Sequence, residues 1–119
     1  MIDLSRWVGL PYQPPHGCWL LVRQVYRELF GIELDAYTVR SVREINAAIA
    51  SHLPEWVAVD DERPGDLILI RGAPRHIAVV AGGGRMLHVM NEGDTSRIES
   101  YRSPRWRPSI EGFYRHAGI

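Results

Sequence analysis

The spacing of apolar residues changes along this chain, and this change restricts the folds that the chain can adopt. Over residues 18–30 apolar side chains recur every three or four positions, which is the period of an α-helix with one buried face. After Arg63 the apolar residues form short branched runs separated by turns of Pro, Gly and Asp, a pattern typical of β-strands. Helices first and a meander of antiparallel strands afterwards predict an α+β fold.

The helical part of the chain is predicted to contain two helices. The first covers residues 18–30, and Gly31 follows as its C-terminal cap because glycine tolerates the left-handed conformation that such caps adopt. The second covers residues 38–51, with a weaker apolar stripe, and Pro54 stops it. Residues 3–10 are expected to form a short helix or an extended lead-in.

The strand-forming part predicts an antiparallel sheet of about five strands, with the N-terminal helices packed against it. A hairpin turn over residues 82–85 joins two of these strands, since three consecutive glycines tolerate positive φ. Residues 56–59 fit either a short strand or a loop that packs its tryptophan. The predicted strands are residues 67–70, 76–81, 86–90, 96–100 and 110–115.

Length and charge limit the class of protein. The 119 residues suit a single domain with one core, covering residues 1–119. Fourteen basic and fourteen acidic residues cancel, so no net field attracts the chain to nucleic acid or to an anionic membrane. No apolar run has the length of a membrane span, and the N-terminus lacks the features of a signal peptide. We therefore expect synthesis in the cytoplasm, with any export by an indirect route.

Cys18 is the only cysteine, which excludes an internal disulfide and a CxxC metal site. It follows Pro14, Pro15 and Gly17 at the expected start of the first helix, where unpaired N–H groups and the helix dipole favour a thiolate. This position favours a nucleophile. A single cysteine is more often a buried packing residue, so Cys18 by itself leaves the two interpretations open.

His76 and His88 are expected on neighbouring strands of the hairpin, where two rings can approach on one face. A cysteine hydrolase needs an imidazole base and a group that orients it, and these two residues fit those roles. Whether they share a face depends on the hairpin register, which the sequence does not fix. One thiolate and two imidazoles are also a zinc ligand set, although no pair here has CxxC or helical spacing.

Three further side chains are candidates for the same site. The hydroxyl of Tyr12 and the backbone N–H of Cys18 are possible donors to an oxyanion. Trp19 follows the cysteine directly and is either a wall of the substrate-binding cleft or part of the core. Trp56 is a packing residue or a second substrate-binding tryptophan.

Four parts of the chain and its C-terminal region together carry a family resemblance. They are Gly9-Leu10-Pro11-Tyr12, Cys18-Trp19-Leu20-Leu21-Val22-Arg23, Arg63-Pro64-Gly65-Asp66-Leu67 with His76-Ile77-Ala78-Val79-Val80, Gly84-Arg85-Met86-Leu87-His88-Val89, and Ser103-Pro104-Arg105-Trp106-Arg107 with Gly112-Phe113-Tyr114-Arg115. These stretches resemble the NlpC family of papain-like cell-wall cysteine peptidases, and are most similar to its phage tail-assembly branch. The resemblance covers nearly the whole chain, in the order of the family.

The resemblance implies a papain-like fold with Cys18 as the nucleophile, His76 as the base, His88 as the orienting group and Tyr12 on the oxyanion side. The implied substrate is a peptide bond of the peptidoglycan stem, often beside a D-configured residue, and no metal or cofactor is required. Other phage tail proteins are the implied partners. The implied location is the virion tail, with action in the periplasm or cell wall.

The chain differs from the family pattern at two positions beside the cysteine. Gly17 stands where the family usually has Asp, and Leu20 stands where Gly is common. These differences leave open a second interpretation, a structural tail-tip module with the same fold and little or no activity. A thiol acyltransferase or amidase on the same scaffold is a third.

Overall fold

The computed structural model of the protein describes residues 2–14, 16–34, 56–72 and 75–119. Its main element is an antiparallel sheet of six strands in the order β1-β6-β2-β3-β4-β5. The strands are β1 (Trp56–Val59), β2 (Leu67–Ile70), β3 (His76–Gly82), β4 (Arg85–His88), β5 (Arg97–Ser100) and β6 (Ile110–His116). The predicted α+β class is confirmed. The sixth strand is β1, which the sequence left between strand and loop, and it pairs with β6 at one edge.

The predicted first helix is confirmed as two consecutive helical segments. Helix α1 (Gly17–Val25) leads without a break into a π-helical turn, Tyr26–Phe30. Gly31 ends this segment with a φ of 68°, the left-handed cap that only glycine adopts without strain. A 3₁₀ turn, Ser5–Trp7, precedes α1. The helix predicted at residues 38–51 lies outside the described residues.

The two faces of the sheet carry different layers of the core. Helix α1 packs on one face, which we call the helix face, through Trp19, Val22 and Val25. Alternate residues point to the other face, since successive side chains of a strand point in opposite directions. That second face is called the Trp106 face and contains Ile68, Ile70, Ala78, Val80, Met86, Tyr101 and Trp106.

The hairpin between β3 and β4 sets the register of the candidate site. Gly83 and Gly84 form its tight turn with φ values of 62° and 75°. Val80 lies opposite Met86, so the even-numbered residues of β3 and β4 share the Trp106 face. Met86 in turn lies opposite Glu99 of β5, which places Glu99 on the same face.

No helix within the described ranges combines the length and the apolar character that crossing a membrane requires.

Candidate active site

Cys18 is the second residue of α1 and is 8% exposed. The backbone N–H groups of Ile77, Trp19 and Cys18 itself are directed at its sulfur and favour a thiolate. Burial acts in the other direction and is the larger effect, so the pKa of the Cys18 thiol is raised above its usual value. The helix start therefore does not produce a thiolate by itself, and the thiol needs a base. Ile77 directly follows His76, which puts the sulfur at the start of β3.

His76 and His88 are joined by a hydrogen bond across the hairpin. The Nε2 atom of His76 lies 2.8 Å from the Nδ1 atom of His88, and the ring centroids are 5.0 Å apart. The two rings therefore share one face of the sheet, the point that the sequence left open. This bond engages Nε2 of His76 and leaves Nδ1 as the ring nitrogen that can accept a proton.

Both histidines are neutral in this environment. Burial, with smaller contributions from His88 and Arg97, lowers the pKa of His76 to about 3. Burial also lowers the pKa of His88, although its hydrogen bond to Glu99 opposes that effect. A neutral imidazole is the form that can remove a proton from a thiol.

Glu99 is a site residue that the sequence reasoning missed. Its Oε2 atom lies 2.6 Å from Nε2 of His88 and accepts a hydrogen bond from Nε of Arg97 at 2.7 Å. Its Oε1 atom accepts a hydrogen bond from the indole N–H of Trp106 at 2.9 Å. Burial raises the pKa of Glu99, but the bonds from Trp106, Arg97 and His88 outweigh burial and hold the pKa at about 2. The carboxylate is therefore ionised. The sequence does show that Arg97 and Glu99 flank Ile98, as two side chains on one face of a strand do. It does not show which strand pairs with β5, so it could not connect Glu99 with His88.

Trp106 covers the histidine pair on the side away from α1. Its ring stacks near His76 at a centroid distance of 6.1 Å and meets His88 edge-on at 5.2 Å. The indole ring of Trp106 therefore excludes water from the histidine pair, and its N–H holds the Glu99 carboxylate in place.

Tyr12 lies against the residue that precedes the cysteine. Its N–H donates to the carbonyl of Asp94 at 3.0 Å, which ties this segment to the chain just before β5. A Cβ atom added to Gly17 would lie 2.6 Å from Cδ2 of Tyr12, a distance that no ordinary contact allows. Glycine at position 17 therefore makes room for the tyrosine ring. Burial raises the pKa of Tyr12, with the Gly17 N–H opposing it, so the hydroxyl keeps its proton and can donate.

A small cavity opens beside the start of α1. Its volume is about 170 Å³, below the range typical of sites for whole small-molecule ligands. Leu20, one of the two residues that differ from the family pattern, forms part of its wall. The other lining residues are Leu10, Pro11, Gln13, Gly17, Leu21, Gln24 and Val89.

Trp19 and Trp56 are both core residues in this structure. Trp19, a residue of α1, is 1% exposed and packs against the helix face of the sheet. Trp56 is 6% exposed and contacts Tyr26 and His116 in the edge strand β1, four positions away from β4 in the strand order. Substrate binding by these two tryptophans stays a prediction.

Zinc binding is the alternative role for Cys18, His76 and His88. Among residues 2–14, 16–34, 56–72 and 75–119, no group of three His, Cys, Asp or Glu side chains is arranged to hold a metal ion. His76, His88 and Glu99 instead hydrogen-bond to one another.

A cysteine at a helix start, beside a hydrogen-bonded histidine pair on an antiparallel sheet, provides the parts that a cysteine hydrolase needs. The chain belongs to the NlpC/P60 family, whose model matches residues 6–115. A search of curated proteins found no significant match.

Solved structures of the same family share the fold. A NlpC/P60 family protein from Bacillus cereus has a TM-score of 0.69 at 23% identity, over 94% of this chain and 37% of that one. The NlpC/p60 domain of the peptidoglycan hydrolase SagA has a TM-score of 0.59 at 20% identity, over 92% and 89%. A lipoprotein-like NLP/P60 protein from Staphylococcus aureus has a TM-score of 0.61 at 20% identity, over 93% and 38%. This chain thus spans little more than a third of the first and third of these proteins.

Proposed function

We propose that this protein is a cysteine peptidase that hydrolyses peptide bonds in the stem peptides of peptidoglycan. The observation that carries the proposal is the hydrogen-bonded pair of His76 and His88 at the strand start where the Cys18 sulfur lies. Membership of the NlpC/P60 family supports it, as does the likeness of fold to a domain of the peptidoglycan hydrolase SagA. The substrate class comes from the family and not from the geometry.

The first half of the proposed reaction forms an acyl-enzyme. Nδ1 of His76 takes the thiol proton of Cys18 as the sulfur attacks the carbonyl carbon of the scissile bond. The backbone N–H of Cys18 and the hydroxyl of Tyr12 donate to the resulting oxyanion. The imidazolium of His76 then gives its proton to the leaving amine, the C–N bond breaks, and a thioester to Cys18 remains.

The second half releases the acyl group and restores the site. His76 removes a proton from a water molecule, whose oxygen attacks the thioester carbon. The C–S bond breaks, and the proton returns from His76 to the sulfur. His88 holds the ring of His76 in one orientation during both halves through the 2.8 Å hydrogen bond.

The cavity beside Gly17 is proposed to receive one side chain of the stem peptide. Its 170 Å³ suits a single residue, and Gln13 and Gln24 offer amide groups to a polar or charged stem residue. Leu20 narrows this space compared with the glycine that is common in the family.

The decisive experiment is digestion of purified peptidoglycan by the wild-type protein and by Cys18→Ala, with released stem peptides identified by mass spectrometry. Wild type should release peptides and new amino termini, and the variant should release none, because the thioester cannot form. Circular dichroism and thermal melting must show the two proteins equally folded. An equal lack of turnover would contradict the peptidase proposal and favour the structural tail-tip module.

We further propose that the protein works in a phage or prophage tail and opens the cell wall during DNA entry. This proposal rests on the resemblance of the C-terminal region, around Trp106 and Phe113, to the tail-assembly branch. The protein should then be detected by antibody in virions purified after prophage induction. Detection of the protein in the cells but not in the purified virions would contradict the tail location.

A further inference from the structure

A line of polar side chains crosses three neighbouring strands on the Trp106 face. It begins at His76 on β3, continues through His88 on β4 and ends at Glu99 on β5. The two steps measure 2.8 Å and 2.6 Å between the bonded atoms. Met86 lies opposite Glu99 and Arg97 opposite His88, so Glu99 reaches His88 diagonally, as neighbouring residues on one face of a sheet can.

We propose that Glu99 is a positioning residue of the active site: its carboxylate fixes which nitrogen of His88 carries the proton and, through His88, which nitrogen of His76 does. This inference rests on the proposed function, since it concerns the readiness of His76 to act as a base. Glu99 does not touch the thiol or the reacting bond. It acts through His88.

The assignment follows from what each group can donate. An ionised carboxylate only accepts, so the 2.6 Å contact requires the proton of neutral His88 to be on Nε2. Nδ1 of His88 then has no proton and must accept from Nε2–H of His76 across 2.8 Å. Neutral His76 thus carries its proton on Nε2. Its Nδ1 lone pair is left to take the proton of Cys18.

The charge of Glu99 has a second effect on the same pair. The histidines are buried, and a proton arriving on His76 during the reaction creates a cation out of contact with water. The charged groups that face the pair are Glu99, which favours that cation, and Arg97 and Arg105, which oppose it. Asp94, 3.2 Å from Arg97, compensates part of the guanidinium charge.

The carboxylate is held in a single orientation. Trp106 donates to one oxygen, while Arg97 and His88 engage the other. Its side chain is 25% exposed, against 0% for His88, so the charge sits at the margin of the buried pair and keeps partial solvation. Such a group can impose its polarity on His88 without the full cost of a buried ion.

Glu99→Gln is the variant that tests this assignment, because it keeps the shape and removes the charge. Glutamine can donate or accept, so it no longer selects one tautomer of His88. We expect kcat on peptidoglycan fragments to fall about 100-fold with KM nearly unchanged, less than the ~10⁴-fold loss typical when the orienting carboxylate touches the base itself. The acid limb of the pH profile should move to lower pH, because the charge that favours protonation of the pair is gone.

The matched control is Glu62→Gln. Glu62 accepts a hydrogen bond from the hydroxyl of Tyr101 at 2.6 Å, and Tyr101 lies on the Trp106 face. Within the described residues, the structure shows no hydrogen bond from Glu62 to either histidine. This variant should keep wild-type kcat and the wild-type pH profile. If Glu99→Gln has the same kcat and the same pH profile as Glu62→Gln, the proposal is overturned.

A readout without turnover separates this inference from the proposed function. In ¹⁵N-histidine spectra of the folded wild type at pH 7, His76 and His88 should each show a protonated Nε2 and an unprotonated Nδ1. Glu99→Gln should show a mixture of tautomers for His88, and unchanged ring nitrogen signals would overturn the proposal. Wild type that cleaves no peptidoglycan would overturn the function, and the spectra would still decide the role of Glu99.

Discussion

The residues proposed as nucleophile and base reach the candidate site from differently built parts of the molecule. Cys18 lies in the first turn of one helix, and the polar groups directed at its sulfur are backbone N–H groups. His76 lies in a line of side chains that spans three strands and ends in an ionised carboxylate. The nucleophile half thus relies on backbone N–H groups, one of them from Ile77 on β3, while the base half is a line of side chains that ends in a charge.

This difference predicts how the two halves would contribute to the proposed reaction. Burial raises the pKa of the Cys18 thiol despite its position at a helix start, so the helix contributes placement more than activation. The base half must supply the activation, and its neutral histidines depend on sheet register for their orientation. Substitutions in the base half should therefore lower the rate of hydrolysis strongly while leaving helix α1 intact.

The largest expected effect is on activity after loss of the base. His76→Gln should lower hydrolysis of peptidoglycan fragments about 10³-fold, within the range for loss of a general base. The helical signal in circular dichroism should be unchanged, because α1 does not depend on the imidazole. Initial rates by liquid chromatography measure this effect.

The same substitution on β6, two strands away from β3 in the sheet, is the control. His116→Gln changes a histidine that packs 4.8 Å from the ring of Trp56, at the end of β6. It should retain wild-type rates. Equal rates for the two variants would remove the assigned role of the base half.

The second expected effect is on the free energy of unfolding at acid pH, and it also arises from His76. Burial lowers the pKa of folded His76 from the value of 6.5 expected for the unfolded chain to about 3. The unfolded state therefore binds more protons between these values, so the free energy of unfolding decreases as the pH falls through this window. His76 should account for about 3 kcal/mol of the loss between pH 7 and pH 4.5.

Urea unfolding at these two pH values measures that loss. His76→Gln lacks the titrating group, so its free energy of unfolding should fall by about 3 kcal/mol less than that of wild type over the same interval. His88, whose pKa burial also lowers, remains in both proteins and adds a loss in the same direction. An identical pH dependence for the two proteins would show that the folded His76 is not held neutral.

The smallest expected effect concerns the nucleophile half. Gly17→Ala should cost about 1–2 kcal/mol of stability, because the new Cβ meets the ring of Tyr12 at 2.6 Å. Alanine normally favours a helix over glycine, so a loss here points to the close contact. Chemical denaturation measures it. In a Tyr12→Ala background the same change should be neutral or stabilising.

Gly112→Ala is the matched control for this contact. Gly112 has no positive φ, and an added Cβ would meet Tyr114 only at 3.5 Å, an ordinary contact. It should change stability by less than about 0.5 kcal/mol. A tolerated Gly17→Ala would mean that Tyr12 moves easily, and the tyrosine would then be a poor oxyanion donor.

Much of the fold could be predicted from local patterns. The helix ending at Gly31, the glycine hairpin and the strands after Arg63 are confirmed because period and turn chemistry are read within one segment. The strand β1 was left undecided, since four residues carry too little periodicity. It forms because β6 offers an edge to pair with.

The candidate site was predictable only in part. The sequence pointed to Cys18, His76 and His88, and the family resemblance supplied their roles. Glu99 was missed because its role depends on how β5 aligns with β4, and the eight residues between these strands do not encode that alignment locally.

The sequence by itself determined most of the described secondary elements and pointed to Cys18, His76 and His88, since helix periods, turns and residue types are local properties. The tertiary structure alone decided that His76, His88 and Glu99 form one line under Trp106, and that the thiol is buried against the N–H of Ile77. The physical reason is that strand register and desolvation arise only when distant segments pack together.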